Sequence, residues 1–350
     1  MTALTLEQCL DFLAPDETLG QLYCRLSKEK LSTGIQAIDR HLALRPGIFL
    51  EACGGAGCGK SELLMQVAVH ILMDGTMQQQ QQQQQGPGLW TPDNDAVLKK
   101  SVVLIDMDGK LHGLRLIQVL DAHIRQRNPQ LATLADDPQI NPVLAEQASA
   151  TINTLNEDCL ARMHIIKPHS SMQLLAGLLS LPRLLAQCQE RHAPCALLLV
   201  DNVGAFYQQD RACRPPPVAD RDGSVGAKGG RGAAPPSLQP PLSLNRVHAC
   251  MAATLQRLAS EYRLCVVASK YAAVSEQTAP DGMPHLVQRE YLPTSWHSLI
   301  THRLVMGPSC AYVRPADGSS VTEIVTQLWQ DGQCGMVEKS IIEGDRMVSL

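Results

Sequence analysis

Short apolar runs alternate with longer amphipathic segments along most of the chain. Runs composed mainly of apolar residues lie at 48–53, 101–106, 163–166, 196–201 and 264–268. Apolar runs of this length are typical of strands that helices cover on both faces of a parallel sheet. Because the intervening segments repeat apolar residues at helical spacing, the pattern predicts an α/β fold with a mainly parallel sheet and helices on both faces.

Five of the intervening segments are predicted to form helices. They lie at 62–73, 111–127, 143–156, 171–190 and 244–262. The first is expected to end near Asp74 and Gly75, since glycine commonly follows the last helical turn. Pro182 is expected to break or kink the fourth, because proline cannot donate the hydrogen bond that its position in a helix requires.

The C-terminal part of the chain shows strand patterns with no helix between them. A loop is predicted at 272–293, and strands are predicted near 299–306, 310–314 and 321–328. Strands joined without a helical crossover pair in the antiparallel sense. This region therefore predicts an antiparallel extension of the sheet.

Two stretches of low apolar content interrupt the pattern, at 76–97 and 211–242. The first holds the glutamine tract Gln78–Gln85, and the second is rich in proline, glycine and small residues. Neither offers the apolar surface that offsets chain entropy, so both are predicted to be disordered insertions. The rest of the 350 residues predicts one core at 31–345, preceded by a short helical segment at 1–30.

Composition narrows the possible functions. A net charge of -4 gives no overall attraction to nucleic acid, so DNA contact would need a local basic patch. The 12 cysteines show no pair at CxxC spacing, which favours reduced thiols over a metal site or disulfides. We find neither a secretion signal at the start of the chain nor an apolar window of about 18 residues. A soluble intracellular protein with no membrane contact is expected.

A glycine-rich turn follows the first predicted strand and precedes the first long helix. Its residues are Gly54, Gly55, Ala56, Gly57, Cys58, Gly59, Lys60 and Ser61. Such a turn directs successive backbone N–H groups at a polyphosphate, at the positive end of the helix. Lys60 is expected to reach the β- and γ-phosphates, and the Ser61 hydroxyl to ligate Mg²⁺. The turn therefore predicts a site for ATP and Mg²⁺, the alternative being an ordinary glycine turn.

Carboxylates follow two of the other strands. Asp201 ends the run at 196–201, and parallel sheets bind ligands at the carboxyl ends of their strands. It is expected to support Mg²⁺ through water, the alternative being a turn cap. Asp106 and Asp108 end the second strand; one of them could polarise an attacking water, and both are also common in turns.

Several segments together resemble the RecA/eukaryotic recombinase family. The matching stretches are LSTGIQAID at 31–39, LIDMDG at 104–109 and LLVDNVGAFY at 198–207. The segments at 114–116, 205–211, 261–264 and 291–303 are similar to a non-filament paralogue of that family. The resemblance covers roughly 31–306 and implies a RecA-like P-loop NTPase core.

Departures from the family pattern qualify the activity that the resemblance implies. The family's catalytic glutamate aligns with Asp108, whose side chain is one methylene shorter, so at most slow DNA-dependent ATPase activity is expected. The family's Asn-Gln sensor aligns with Ser269 and Lys270, which predicts weaker coupling between nucleotide and DNA loops. The insertion at 211–242 replaces the first DNA loop. Its basic residues could contact DNA phosphates, but the aspartates among them and the absence of aromatic residues favour a solvated linker.

Two further matched residues have open roles. Trp296 is expected in a core or an interface rather than in catalysis. Arg303 could reach a neighbouring subunit's nucleotide or could be structural.

The resemblance implies a nuclear recombinase-paralogue subunit that acts in homologous-recombination repair of DNA double-strand breaks. Such a subunit would bind ATP, assemble with other recombinase paralogues, and act as an assembly factor for the recombinase filament. Single-stranded or branched DNA would be contacted directly or through partners. The alternatives are an autonomous DNA-dependent ATPase that performs strand exchange, and a P-loop ATPase or kinase unrelated to DNA.

Overall fold

The computed structural model describes most of the predicted core. The described residues are 18–19, 30–84, 99–136, 142–212, 244–278, 284–308, 321–330, 333–343 and 346–349. Most of the predicted helical segment at 1–30, most of the two predicted insertions and the predicted strand at 310–314 lie outside the described residues.

Helices and strands alternate through the first part of the chain, and strands dominate the last part. The helices are α1 (Gln36–Asp39), α2 (Lys60–Gln84), α3 (Gly113–Arg127), α4 (Pro129–Asp136), α5 (Pro142–Ala161), α6 (Ser171–Glu190), α7 (Tyr207–Ala212), α8 (Leu244–Glu261) and α9 (Thr294–His297). The strands are β1 (Phe49–Gly54), β2 (Ser101–Asp106), β3 (Met163–Ile166), β4 (Cys195–Asp201), β5 (Cys265–Tyr271), β6 (Val274–Thr278), β7 (Pro284–Gln288), β8 (His302–Pro308), β9 (Val321–Gln330), β10 (Gln333–Glu343) and β11 (Arg346–Ser349).

The main sheet contains nine of the described strands, in the order β11-β10-β9-β8-β1-β5-β4-β2-β3. All neighbours from β8 to β3 pair in parallel, whereas β9, β10 and β11 each pair antiparallel with the preceding strand. This arrangement confirms the predicted parallel α/β core with an antiparallel C-terminal extension. It also places the ends of β1, β2, β4 and β5 along one edge of the sheet.

Apolar side chains of alternate strand residues pack on opposite faces of the sheet. Leu50 and Leu199 pack with α2, α3 and α5 on one face, which we call the α2 face. Phe49 and Val200 pack with α6 and α8 on the other, the α8 face. The described cysteines, Cys250 excepted, are buried free thiols, as expected for small apolar side chains. Among the described helices, none combines the length and apolarity required to cross a bilayer.

The predicted end of the first long helix is wrong. Helix α2 continues past Asp74 and Gly75 to Gln84, so the glutamine tract is helical as far as the description reaches. Glutamine has a favourable helix propensity, and each residue added to a packed helix avoids the cost of nucleation. Residues 85–97 of the predicted insertion lie outside the described residues.

Two other local predictions differ from the structure. Helix α6 continues through Pro182 without a break, because the buried Leu178, Leu181 and Leu185 anchor the turns on both sides of it, and the kink stays a prediction. The predicted loop at 272–293 contains the β6–β7 hairpin and the start of the segment that leads to α9. Tertiary contact stabilises this hairpin, since the Leu286 amide donates to Gln327 Oε1 at 2.9 Å.

Candidate nucleotide site

The glycine-rich turn lies where β1 ends at the carboxyl edge of the sheet, as its strand–loop–helix context predicts. A Cβ atom at Gly54 would lie 2.2 Å from the backbone oxygen of Met306 on β8, so no other residue fits there. Gly57 and Gly59 have φ angles of 77° and 75°, a left-handed conformation that favours glycine. Helix α2 begins directly afterwards, at Lys60.

Lys60 extends across the turn to which it belongs. Its Nζ donates to the backbone oxygen of Gly55, and burial lowers the pKa of its ammonium group. It forms no ion pair with a carboxylate of the described residues. A partly buried cation without an anionic partner, beside a glycine turn, is well suited to an anionic ligand.

Ser61 and Asp201 come together from distant parts of the chain. The Ser61 hydroxyl lies 2.9 Å from Asp201 Oδ2 and 3.1 Å from Oδ1. Asp201 is buried, and the Ser269 hydroxyl donates to its Oδ1 at 2.5 Å. The sheet thus brings the two predicted magnesium-supporting residues into direct contact.

Asp108 joins this group through a residue that the sequence interpretation did not single out. Asn202 Nδ2 donates to Asp108 Oδ1 at 2.7 Å, and Lys110 Nζ lies 3.0 Å from Oδ2. The Asn202 backbone N–H donates to the Ser269 hydroxyl at 2.8 Å. The sequence contained one signal that could have identified Asn202, since this residue directly follows the aspartate that ends a predicted strand.

Asp106 has a different role from Asp108. It is buried next to Asp201 on the paired strand, and its Oδ2 accepts the Leu111 backbone N–H at 3.1 Å. Lys167 Nζ lies 3.7 Å from the same oxygen. Asp106 therefore orders the turn that follows β2, whereas Asp108 contacts Asn202, the residue that follows Asp201.

The opposite face carries a buried ion network formed by Glu51, Lys270, Glu290, Arg303 and Trp296. Glu51 Oε2 lies 3.1 Å from Lys270 Nζ and 2.6 Å from Arg303 Nε, and Trp296 Nε1 donates to Oε1 at 2.7 Å. Lys270 also lies 2.6 Å from Glu290 Oε2. Burial alone would raise the pKa of Glu290, but the hydrogen bond and charge of Lys270 lower it below its usual value.

This network bears on three residues that the sequence interpretation named. Trp296 is a core residue, only 3% exposed. Arg303 is a structural residue here, since its guanidinium contacts Glu51 and Glu290 of its own chain. Lys270 is fully buried on the α8 face, whereas its neighbour Ser269 contacts Asp201 on the α2 face.

The residues on the α2 face fit ATP and Mg²⁺ chemically. The turn and Lys60 would hold the phosphates, because a glycine turn at a helix N-terminus and a partly buried ammonium group are the donors that a polyphosphate requires. Ser61 and Asp201 would support Mg²⁺, which prefers oxygen ligands and retains waters. When bound, the metal ion would neutralise charge on the phosphate oxygens.

Comparison with known proteins supports the resemblance inferred from the motifs. No protein-family model matches the chain. The chain is similar to the DNA repair protein XRCC2 homolog of Arabidopsis thaliana, with 21% identity over 367 residues. The similarity covers 98% of this chain and 91% of the relative. The predicted resemblance to a RecA-family recombinase paralogue, close to the second X-ray repair cross-complementing protein, is thereby confirmed along nearly the whole chain.

Proposed function

We propose that this protein is an ATP-binding recombinase-paralogue subunit that acts in homologous-recombination repair of DNA double-strand breaks. The observation that carries the nucleotide part is the Ser61–Asp201 contact beside the glycine turn. Residues 140 positions apart converge there with Lys60 at the carboxyl edge of a parallel sheet, where this class of fold binds ligands. The repair part is supported by the similarity to a DNA repair protein of Arabidopsis thaliana.

ATP acts in this proposal mainly as a structural ligand that favours assembly, with at most slow DNA-dependent hydrolysis. Both oxygens of Asp108 are engaged, one by Asn202 and one by Lys110. Asp108 is also shorter than the glutamate with which it aligns, so ATP would be held longer than it is hydrolysed.

The proposed partners are other recombinase paralogues and, through them, the recombinase filament in the nucleus. Single-stranded or branched DNA is contacted directly or through those partners. The buried position of Lys270 argues against an autonomous strand-exchange ATPase. Its ammonium is held by Glu51 and Glu290 on the face away from the nucleotide turn, so it is not available to report the state of the nucleotide.

A thermal-shift measurement tests the nucleotide site. ATP with Mg²⁺ at a hundred times its dissociation constant is expected to stabilise the full chain by about 2.7 kcal/mol. Lys60→Ala should abolish this shift, because it removes the cation of the turn. Lys99→Ala is the matched control and should retain the shift, since Lys99 pairs with Asp158 at the edge of the sheet opposite the turn. A wild-type protein that shows no shift with millimolar ATP would contradict the proposal.

Co-purification of the tagged full chain from nuclear extract tests the cellular part. Recombinase paralogues should be retained by the wild-type chain and lost in part with Lys60→Ala, if nucleotide favours assembly. Retrieval of no recombination protein would leave a P-loop ATPase unrelated to DNA as the better interpretation.

A further inference from the structure

Tyr271, the last residue of β5, lies beside the nucleotide turn. It is the register partner of Gly54, with which the turn begins, and the backbone N–H of Ala272 donates to the Gly54 carbonyl oxygen at 3.0 Å. Because paired strands are only about 4.8 Å apart, the backbone of Tyr271 borders the turn directly.

The side chain of Tyr271 belongs to the α2 face. Lys270 faces the α8 face and Ser269 contacts Asp201 on the α2 face, and side chains alternate along a strand. Tyr271 therefore shares the face of Ser269. Two residues along a parallel strand span about 6.6 Å, so Tyr271 lies that far beyond Ser269 toward the carboxyl edge of the sheet. It is placed on the solvent side of the Ser269–Asp201 contact.

The phenol group of Tyr271 is exposed and makes no hydrogen bond within the described part of the chain. Its exposed fraction is 53%, whereas the other residues of β5 are buried. Tyr207 and Tyr291, in contrast, pack against each other with ring centroids 5.4 Å apart. A single exposed aromatic side chain is ordinary on a protein surface. Tyr271 is distinguished by its position, since an available hydroxyl donor lies next to the turn.

The strand order relates Tyr271 to the metal-binding end of the triphosphate. β5 lies between β1, which leads into the turn, and β4, which ends at Asp201. A triphosphate that extends from the turn to the Ser61–Asp201 contact therefore passes the end of β5. Tyr271 forms that end, and a phenol hydroxyl is a suitable donor to a phosphate oxygen.

We infer that Tyr271 gives the site its preference for a nucleoside triphosphate, because its hydroxyl donates a hydrogen bond to the terminal phosphate. The inference rests on the proposed function, since it assumes that ATP and Mg²⁺ bind at the turn and the Ser61–Asp201 contact. ADP offers no acceptor at this place. Tyr271 thus distinguishes ATP from ADP, whereas the backbone amides of the turn contact phosphates that both nucleotides contain.

The test measures the affinity of the full chain for two nucleotides in the presence of Mg²⁺. Isothermal titration calorimetry uses ADP and the imidodiphosphate analogue of ATP, which retains the terminal phosphate but resists hydrolysis. Tyr271→Phe should weaken binding of the analogue by about tenfold or more, because a hydrogen bond to a charged group is lost. Its affinity for ADP should remain that of the wild type. Removal of the hydroxyl and removal of the phosphate thus form a cycle that isolates the contact between them.

Two further variants separate the hydroxyl from the ring and from the fold. Tyr271→Ala removes the hydroxyl together with the ring and should lose the preference for the analogue at least as completely as Tyr271→Phe. Tyr262→Phe is the matched control, since Tyr262 precedes β5 at the opposite edge of the sheet, and should bind both nucleotides as the wild type does. Without nucleotide, Tyr271→Phe should melt at the wild-type temperature, because the side chain is exposed and its hydroxyl makes no bond to the described residues.

The outcomes separate the inference from the proposed function. Wild-type protein that binds neither nucleotide would contradict the proposed function. Wild-type protein that binds both, together with a Tyr271→Phe variant that retains full affinity for the analogue, would overturn the inference alone. An equal loss of affinity for both nucleotides in Tyr271→Phe would also overturn it, because the contact would then not involve the terminal phosphate. A lowered melting temperature of ligand-free Tyr271→Phe would assign the hydroxyl to the fold instead.

Discussion

Two polar clusters lie back to back at the carboxyl edge of the sheet, and they differ in how completely their groups are paired. On the α8 face, Glu51 receives Lys270, Arg303 and Trp296, and both Glu51 and Lys270 have fully buried side chains. On the α2 face, the Asp201 cluster contains Lys60, which lacks a carboxylate partner among the described residues, and Asn202, whose Oδ1 is unpaired there. Both clusters contain buried charged groups, yet among the described residues only the cluster on the α2 face has a buried hydrogen-bonding atom without a protein partner.

The difference shows that burial of charge does not by itself mark a ligand site. Successive residues of β5 contribute to the two clusters, Ser269 to the α2 face and Lys270 to the α8 face, because side chains alternate along a strand. A satisfied network fixes the arrangement of β1, β5 and β8. The cluster on the α2 face has polar groups that a donor or an anion from a bound ligand could pair with, so a ligand is expected on this face.

The largest effect is expected from breaking the satisfied cluster. Glu51→Gln should lower the free energy of unfolding by about 3 kcal/mol or more, because it leaves the buried Lys270 and Arg303 short of one negative charge. Urea denaturation of the protein without nucleotide measures this loss. Glu290→Gln is the control and should cost less, since Glu290 is 24% exposed. Equal losses in the two variants, or no loss with Glu51→Gln, would contradict the central role of Glu51 in this cluster.

The next effect tests the unsatisfied cluster. Ser61→Ala should remove most of the Mg²⁺-dependent stabilisation by ATP, while it lowers the stability of the ligand-free protein by only about 1 kcal/mol. Ser269→Ala is the matched variant, because its hydroxyl also donates to Asp201 but lies outside the turn. Thermal shifts with ATP in the presence of Mg²⁺ or EDTA distinguish the two. If both variants lost the Mg²⁺ dependence of the thermal shift, that dependence would be assigned to Asp201 and not to the Ser61 hydroxyl.

The smallest effect is expected from His70 on α2, which contacts Arg127 and lies outside the candidate nucleotide site. His70 Nδ1 lies 2.8 Å from Arg127 Nη2, and burial, with the Arg127 charge, lowers the pKa of His70 to about 4. Between about pH 6.5 and 4 the unfolded chain takes up a proton that the folded chain does not, so stability falls as pH falls through this window.

His70→Gln should remove this contribution. The loss in the free energy of unfolding between pH 7 and pH 5 should then be smaller than in the wild type by about 1–2 kcal/mol, a modest figure because the ring is only partly buried. Urea denaturation of both proteins at pH 7 and at pH 5 measures the change in slope. The thermal shift with ATP at pH 7 should remain that of the wild type. An unchanged pH dependence would show that another group dominates this window.

Much of the site could be predicted because its signals are local. Gly54 to Ser61 form a contiguous turn, and the apolar runs that end at Asp106 and Asp201 have the lengths and composition of buried strands. Local signals failed where packing competes with them. Gly75 suggested a helix end and Pro182 a break or kink. The helix propensity of glutamine continues the first helix, and neighbouring buried side chains continue the second through the proline.

The sequence by itself determined the strand–turn–helix motif, the alternation of strands and helices, and the resemblance that these motifs carry. Only the tertiary structure decided which polar residues meet: Ser61 with Asp201, Asn202 with Asp108, and Lys270 with Glu51. The reason is that strand order and register are non-local. β5 lies between β1 and β4 in the sheet although it follows both along the chain, and side-chain alternation then assigns its last residues to opposite faces.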